Sequence, residues 1–227
     1  MLQLAGFGGI VLGIPVAIVS LLMYTQPIYT TIFGRIFYDE KITKGKTIAL
    51  LIAILGVILL LKPWDISGML NPTGVFSALM GGIFLSLWVI GGRKAGINKE
   101  KTTLTTFSYA FFTVVWLLLI FPIFKSLVPA PQFTTITLSH PINFWLYVIV
   151  IALFSRVISN FLFYLGLENI TASRTGIIML IEPVSAALLS AIFFLQPITI
   201  NIILGGFFIL LANYITIMET RNSKKEI

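Results

Sequence analysis

Residues 27–43 read PIYTTIFGRIFYDEKIT, and residues 183–199 read PVSAALLSAIFFLQPIT. Both stretches carry the pattern Pro-x8-Ile-Phe-x4-Ile-Thr. The first copy supplies Pro27, Ile36, Phe37, Ile42 and Thr43; the second supplies Pro183, Ile192, Phe193, Ile198 and Thr199. Every matched residue lies 156 positions from its counterpart, and Ile14/Ile170, Met23/Met179 and Leu55/Leu211 keep the same offset. A restricted apolar alphabet produces chance identities, so the ungapped spacing is the stronger signal. It indicates an internal repeat, which decides the architecture before any single residue does.

Around these stretches the chain of 227 residues is 58% hydrophobic and 10% charged, with a mean hydropathy of +1.03. Such a chain cannot cover a water-facing surface with polar groups, so lipid is its solvent. Apolar runs fall near 16–38, 46–62, 74–92, 104–125, 143–166, 175–195 and 200–218. They are long and do not alternate with period two, which favours helices over barrel strands. The expected fold class is an all-α polytopic membrane protein with about seven full spans and an N-terminal stub. The net charge of +7 matches the loop bias of membrane proteins, so no nucleic acid partner is expected. Zero cysteines exclude disulfides and thiolate metal sites. The Gly pairs fit no phosphate-loop spacing, and no cofactor or metal is expected. The start lacks a basic leader region, so no cleavable signal peptide is expected.

Placing the C-terminus inside puts twelve of the fifteen Lys and Arg residues on the cytoplasmic side. Lys62 and Lys125 fall outside, and Arg156 is left within a span. Lys41, Lys44 and Lys46 correspond to Pro197, Ile200 and Ile202, so one turn is cytoplasmic in the first copy and external in the second. That is the signature of an inverted repeat. Residues 1–13 are apolar but too short to cross a bilayer. They read as the end of a helix whose beginning is absent, so the first copy lacks roughly 80 residues and the chain reads as truncated or begun at a misplaced start. The expected domains are residues 1–63, the C-terminal part of the first repeat; residues 72–219, a complete second repeat; and residues 220–227, a cytoplasmic tail.

The stretch Tyr24-Thr25-Gln26-Pro27 … Tyr38-Asp39-Glu40-Lys41-Ile42-Thr43, with Ala49, Ala53 and Gly56 after it, resembles the EamA-type repeat of the drug/metabolite transporter superfamily. The second copy, Glu182-Pro183-Val184 … Gln196-Pro197-Ile198-Thr199 … Gly205-Gly206, is similar. The family's first copy typically carries a Glu before the turn, which Glu40 matches; the second copy here has Gln196. The resemblance implies a full fold of ten helices in two inverted five-helix repeats, both termini cytoplasmic, with the first repeat incomplete here.

Two ionisable residues lie deep within spans, Arg156 and Glu182, at about 20 Å and about 18–19 Å from the outer face. Charges at that depth must face an interior or a cavity. One reading is a buried salt bridge that fixes helix packing. The other is a substrate- or proton-linked pair in a central cavity. Gln26 stands in the first copy where Glu182 stands in the second, so the repeat does not itself demand the charge, and this tilts the reading toward function. Ser159, Asn160 and Tyr164 lie at helical spacing from Arg156 and form one polar face. The substrate-cavity candidates are therefore Glu182, Arg156, Asn160, Tyr164, Gln26 and Trp88, with Tyr24, Ser86 and Tyr109 weaker. Pro27 and Pro183 are read as helix kinks. Trp64 and Trp145 read as interfacial anchors, and His140 as neither ligand nor catalyst.

No nucleophile stands with a base, so an enzyme is not expected. The leading reading is a secondary transporter, a permease or exporter in the plasma membrane. It would move a small metabolite by alternating access, driven by a proton or ion gradient. The alternative is a non-transporting membrane protein, or an assembly partner that needs another chain to supply the missing helices. Lipid and a small-molecule substrate are the expected partners, and a homodimer is an expected assembly.

Overall fold

The computed structural model describes residues 8–65, 71–127, 139–195 and 197–223. Gln196, Lys224, Lys225 and the middle of the 126–142 connection lie outside the described residues. The described chain is all-α. Its helices are α1 (Val16–Met23), α2 (Gln26–Tyr38), α3 (Lys44–Leu61), α4 (Pro72–Ile97), α5 (Thr102–Leu127), α6 (Ile142–Ala152), α7 (Ser159–Leu167), α8 (Ala172–Met179), α9 (Ile181–Phe194) and α10 (Ile200–Ser223). A short 3-10 turn, Pro63–Asp65, follows α3, and a π-helical stretch, Leu153–Ile158, joins α6 to α7.

The 156-position offset reappears as geometry. Val16 and Ala172 open equivalent helices, Met23 and Met179 close them, Tyr38 and Phe194 close the next pair, and Lys44 and Ile200 open the last. Asp39 and Leu195, also 156 positions apart, both adopt the left-handed region at φ 51°. That conformation ends a helix by turning its backbone out of register, and it strains a branched side chain such as Leu. Its recurrence at both positions marks one turn used twice. Thr43 then starts α3 as an N-cap, its side chain accepting from the Lys46 backbone N–H at 3.2 Å.

Six helical stretches among the described residues are long and apolar enough to cross a membrane: Lys44–Asp65, Pro72–Ile97, Thr102–Ile120, Ile142–Leu167, Ala172–Phe193 and Ile200–Met218. The seventh apolar run, 16–38, divides at Tyr24 and Thr25 into helices of 8 and 13 residues, a wider interruption than the single residue, Leu180, between α8 and α9.

Two compact units are present. The first comprises Met1–Gly91 and Ile170–Ile227. Its core is Ala49, Ala53 and Val57 of α3, Ile177 and Leu180 of α8 and its end, Val184 of α9, and Ile209 and Ala212 of α10. Small residues let backbones meet there, which is how helices gain packing energy when lipid removes the hydrophobic incentive. A Cβ on Gly56 would stand 2.8 Å from the Gly205 carbonyl, and one on Gly205 would stand 2.7 Å from the Leu60 nitrogen. The end of α3 therefore meets the start of α10, and these equivalent helices run antiparallel. An inverted duplication requires that orientation.

The second unit, Gly92–Asn169, joins the end of α4 to α5, α6 and α7. Its tie is Arg93, whose Nη1 donates to the Leu167 and Glu168 carbonyls at 2.8 and 3.0 Å. A guanidinium suits the negative end of α7, where carbonyls lack helical donors. Thr102 Oγ1 donates to Glu168 Oε1 at 2.6 Å, which fixes the start of α5 to the same corner.

Candidate functional site

Proline has no N–H, so Pro27 and Pro183 each deprive the preceding turn of a donor. In the first copy α1 stops at Met23 and α2 restarts at Gln26, with Pro27 in its first turn. In the second, α8 stops at Met179 and α9 restarts at Ile181, with Pro183 in its first turn. Both prolines thus mark helix breaks, a stronger distortion than a kink. Thr25 Oγ1 donates to the Leu22 carbonyl at 2.6 Å, repairing part of the first break. Thr31 Oγ1 donates to the Pro27 carbonyl at 2.7 Å one turn later. Gly82 of α4 lies over the broken end: a Cβ there would stand 3.1 Å from the Met23 carbonyl and 3.2 Å from that of Leu22.

The breaks collect the polar side chains of the first unit. Gln26 is 2% exposed and its Nε2 has no hydrogen-bond partner among the described residues. Ser86, one turn beyond Gly82 on the same face of α4, is fully buried, and its Oγ also lacks a partner there. Buried polar atoms without partners are rare and call for a water, ion or ligand. Tyr24 caps the end of α1, packs on the Leu180–Val184 core and lies within electrostatic range of the Glu182 carboxylate. Glu182 itself is exposed in the first turn of α9. Position 26 of one break and its counterpart 182 of the other therefore bring an amide and a carboxylate to the two restarts.

The second unit holds Arg156, Asn160 and Tyr164, which differ in burial. Arg156 is exposed within the π-helical stretch, Asn160 is half-buried, and Tyr164 is 5% exposed. Asn160 and Tyr164 keep α-helical spacing within α7, while the π turn, with more residues per turn, offsets Arg156 from them. Tyr164 packs edge-on against Tyr109 with ring centroids 6.3 Å apart, and it abuts Gly92. Trp88 is half-buried on α4. His140 stacks on Phe144, centroids 4.4 Å apart, beside Trp145. Among the described residues no group of three His, Asp or Glu side chains gathers to hold a metal.

Sequence reasoning passed over the first unit's most heavily bonded carboxylate. Glu40, 8% exposed, follows the left-handed Asp39 and reaches the start of α8. Its Oε1 accepts from the Ala172 N–H at 2.7 Å, and its Oε2 from the Ser173 N–H at 3.0 Å and from Ser173 Oγ. Three donors at the start of α8 thus converge on one carboxylate. Glu40 was visible as a motif residue, but its partners lie 132 and 133 positions away, beyond any local pattern.

Six apolar helices and two equivalent helix breaks define an integral, multi-pass membrane protein of duplicated build. The model of the EamA-like transporter family matches residues 9–62 and 72–218, and the chain belongs to that family. It is 23% identical over 202 residues to an "Uncharacterized transporter" of Archaeoglobus fulgidus, covering 89% of this chain and 68% of that one. It is 27% identical to the "Uncharacterized transporter YetK" of Bacillus subtilis, covering 84% of this chain and 58% of the relative. For the "Uncharacterized transporter YyaM" of the same organism the identity is 26%, with coverage of 75% and 54%. The chain thus spans a little over half to two thirds of these relatives' lengths. A solved crystal structure superposes with a TM-score of 0.76 at 15% identity, over 97% of this chain and 73% of that chain. At that identity the likeness concerns the fold alone.

Proposed function

We propose that the protein is a secondary transporter that moves a small polar metabolite across the membrane by alternating access of its two halves. The observation that carries this reading is the pair of equivalent helix breaks. Broken helices present polar ends and unsatisfied groups at mid-membrane, where transporters of inverted build bind their cargo. Gln26 Nε2 and Ser86 Oγ are the hydrogen-bonding groups held for the substrate, and Glu182, beside Tyr24, is the charge that recognises it or carries the coupling proton. The membrane is the plasma membrane, and an ion or proton gradient drives the flux.

The test is uptake into proteoliposomes under an imposed proton or sodium gradient. Small amines, carboxylates and amphoteric metabolites are screened. Gradient-dependent uptake of one of them, reduced by about tenfold or more in Glu182→Gln, supports the reading. An unchanged rate in that variant removes Glu182 from the mechanism, and no gradient-dependent flux of any compound removes the transport reading itself.

A further inference from the structure

We propose that Glu40 is a releasable latch between the two halves, holding α8 against α2 in one closed state and letting go of it in the other. The proposal rests on the alternating-access reading above. Glu40 belongs to the first copy and all three of its donors to the second, so within the first compact unit the contact joins one repeat to the other. It is backed by close packing: a Cβ on Gly34 of α2 would stand 3.0 Å from Ser173 Oγ, and one on Gly176 of α8 would stand 3.2 Å from the Pro27 Cα.

Two observations make this a latch and not a permanent brace. First, the contact breaks the symmetry of the repeat. Under the 156-position equivalence the α2–α8 pair corresponds to α9 with α1. Among the described residues that counterpart pair does not pack comparably, and α1 starts from Pro15 with no side-chain cap. An inverted repeat that alternates between two states shows this kind of one-sided contact in each. Second, α8 carries its own idle cap. Thr171 occupies the N-cap position in extended geometry, yet its side chain makes no capping bond, and its buried Oγ1 has no partner among the described residues. When Glu40 withdraws, rotation of Thr171 about one bond supplies an acceptor to the freed Ser173 N–H, the second of the helix. Release therefore leaves the helix end partly capped.

The native chain has no cysteine, so a single Cys in place of the fully buried Ala172 reports opening of the latch by its rate of reaction with a water-soluble maleimide. The same substitution at Ala53, fully buried in the α3–α10 core, reports general loosening. In membranes holding the whole chain, Glu40→Ala is expected to raise labelling at position 172 by about tenfold or more, and Glu40→Gln by less, with position 53 unchanged. Thr171→Val is expected to act in the opposite direction, slowing labelling at 172 by about 2-fold to 30-fold because the open state loses its cap. Equal increases at 172 and 53 in Glu40→Ala, or no effect of Thr171→Val, would overturn the latch and leave a static brace. Labelling needs no substrate, so this result stands apart from the flux screen.

Discussion

At the scale of single residues, an amide and a hydroxyl buried without partners say more than the charges do. Gln26 Nε2 and Ser86 Oγ are held on α2 and α4 at the cost of desolvation, which a protein tolerates where a ligand later repays the loss. Gln26→Leu removes the amide and keeps the bulk. Its expected result is thermal stability in detergent equal to or up to about 1 kcal/mol above the parent, with uptake strongly reduced. A variant that melts earlier and transports normally would reverse the assignment. Gln26 and Glu182 were legible in the sequence because polar residues stand out in apolar runs. The burial of Tyr164 was not, because the groups that cover it, Tyr109 and Gly92, are distant in sequence and no local pattern announces them.

At the scale of elements, the glycines sort by what stands opposite them. A methyl at Gly205 would meet the Gly56 carbonyl at 2.6 Å and the Leu60 nitrogen at 2.7 Å, both backbone atoms that cannot rotate away. A methyl at Gly91, inside α4, would meet nothing within 4 Å. Gly205→Ala is expected to lower unfolding stability by about 1–3 kcal/mol. Gly91→Ala is expected to leave it unchanged or raise it by about 0.5–1 kcal/mol, through reduced chain entropy. Thermal melts of the two variants side by side check both. The small-residue rows at Ala49, Ala53 and Gly56 and at Gly205 and Ala212 had announced close packing, and the prolines had announced distortion. Around Pro27 the interruption is accompanied by Thr25 and Thr31 turning their hydroxyls onto nearby carbonyls, and around Pro183 by Ser185 Oγ donating to the Ile181 carbonyl at 3.0 Å.

At the scale of the whole molecule, the duplication was the most legible property, because an offset held without a gap survives even where identities fade. Element ends and the left-handed pair Asp39 and Leu195 follow it residue for residue. The antiparallel meeting of α3 and α10 adds the orientation that loop charges had implied. We therefore expect the C-terminus and the 39–43 turn to face the cytoplasm together. A reporter active only inside the cell is expected to work when fused after Ile227 and to fail when inserted between Pro131 and Gln132. The reverse pattern would invert the topology. What stayed hidden was the one-sidedness: symmetric sequence patterns say nothing about which pair of helices is closed.

The cap on α8 also imposes an order in time. Glu40 is synthesised 132 residues before the Ala172 N–H that binds it. At about 5–20 residues per second, that separation is on the order of 10 s of translation. Through that interval the first copy exists before the groups that its acid binds. The bond becomes available only once the first copy has been made, so assembly of that copy cannot wait on it.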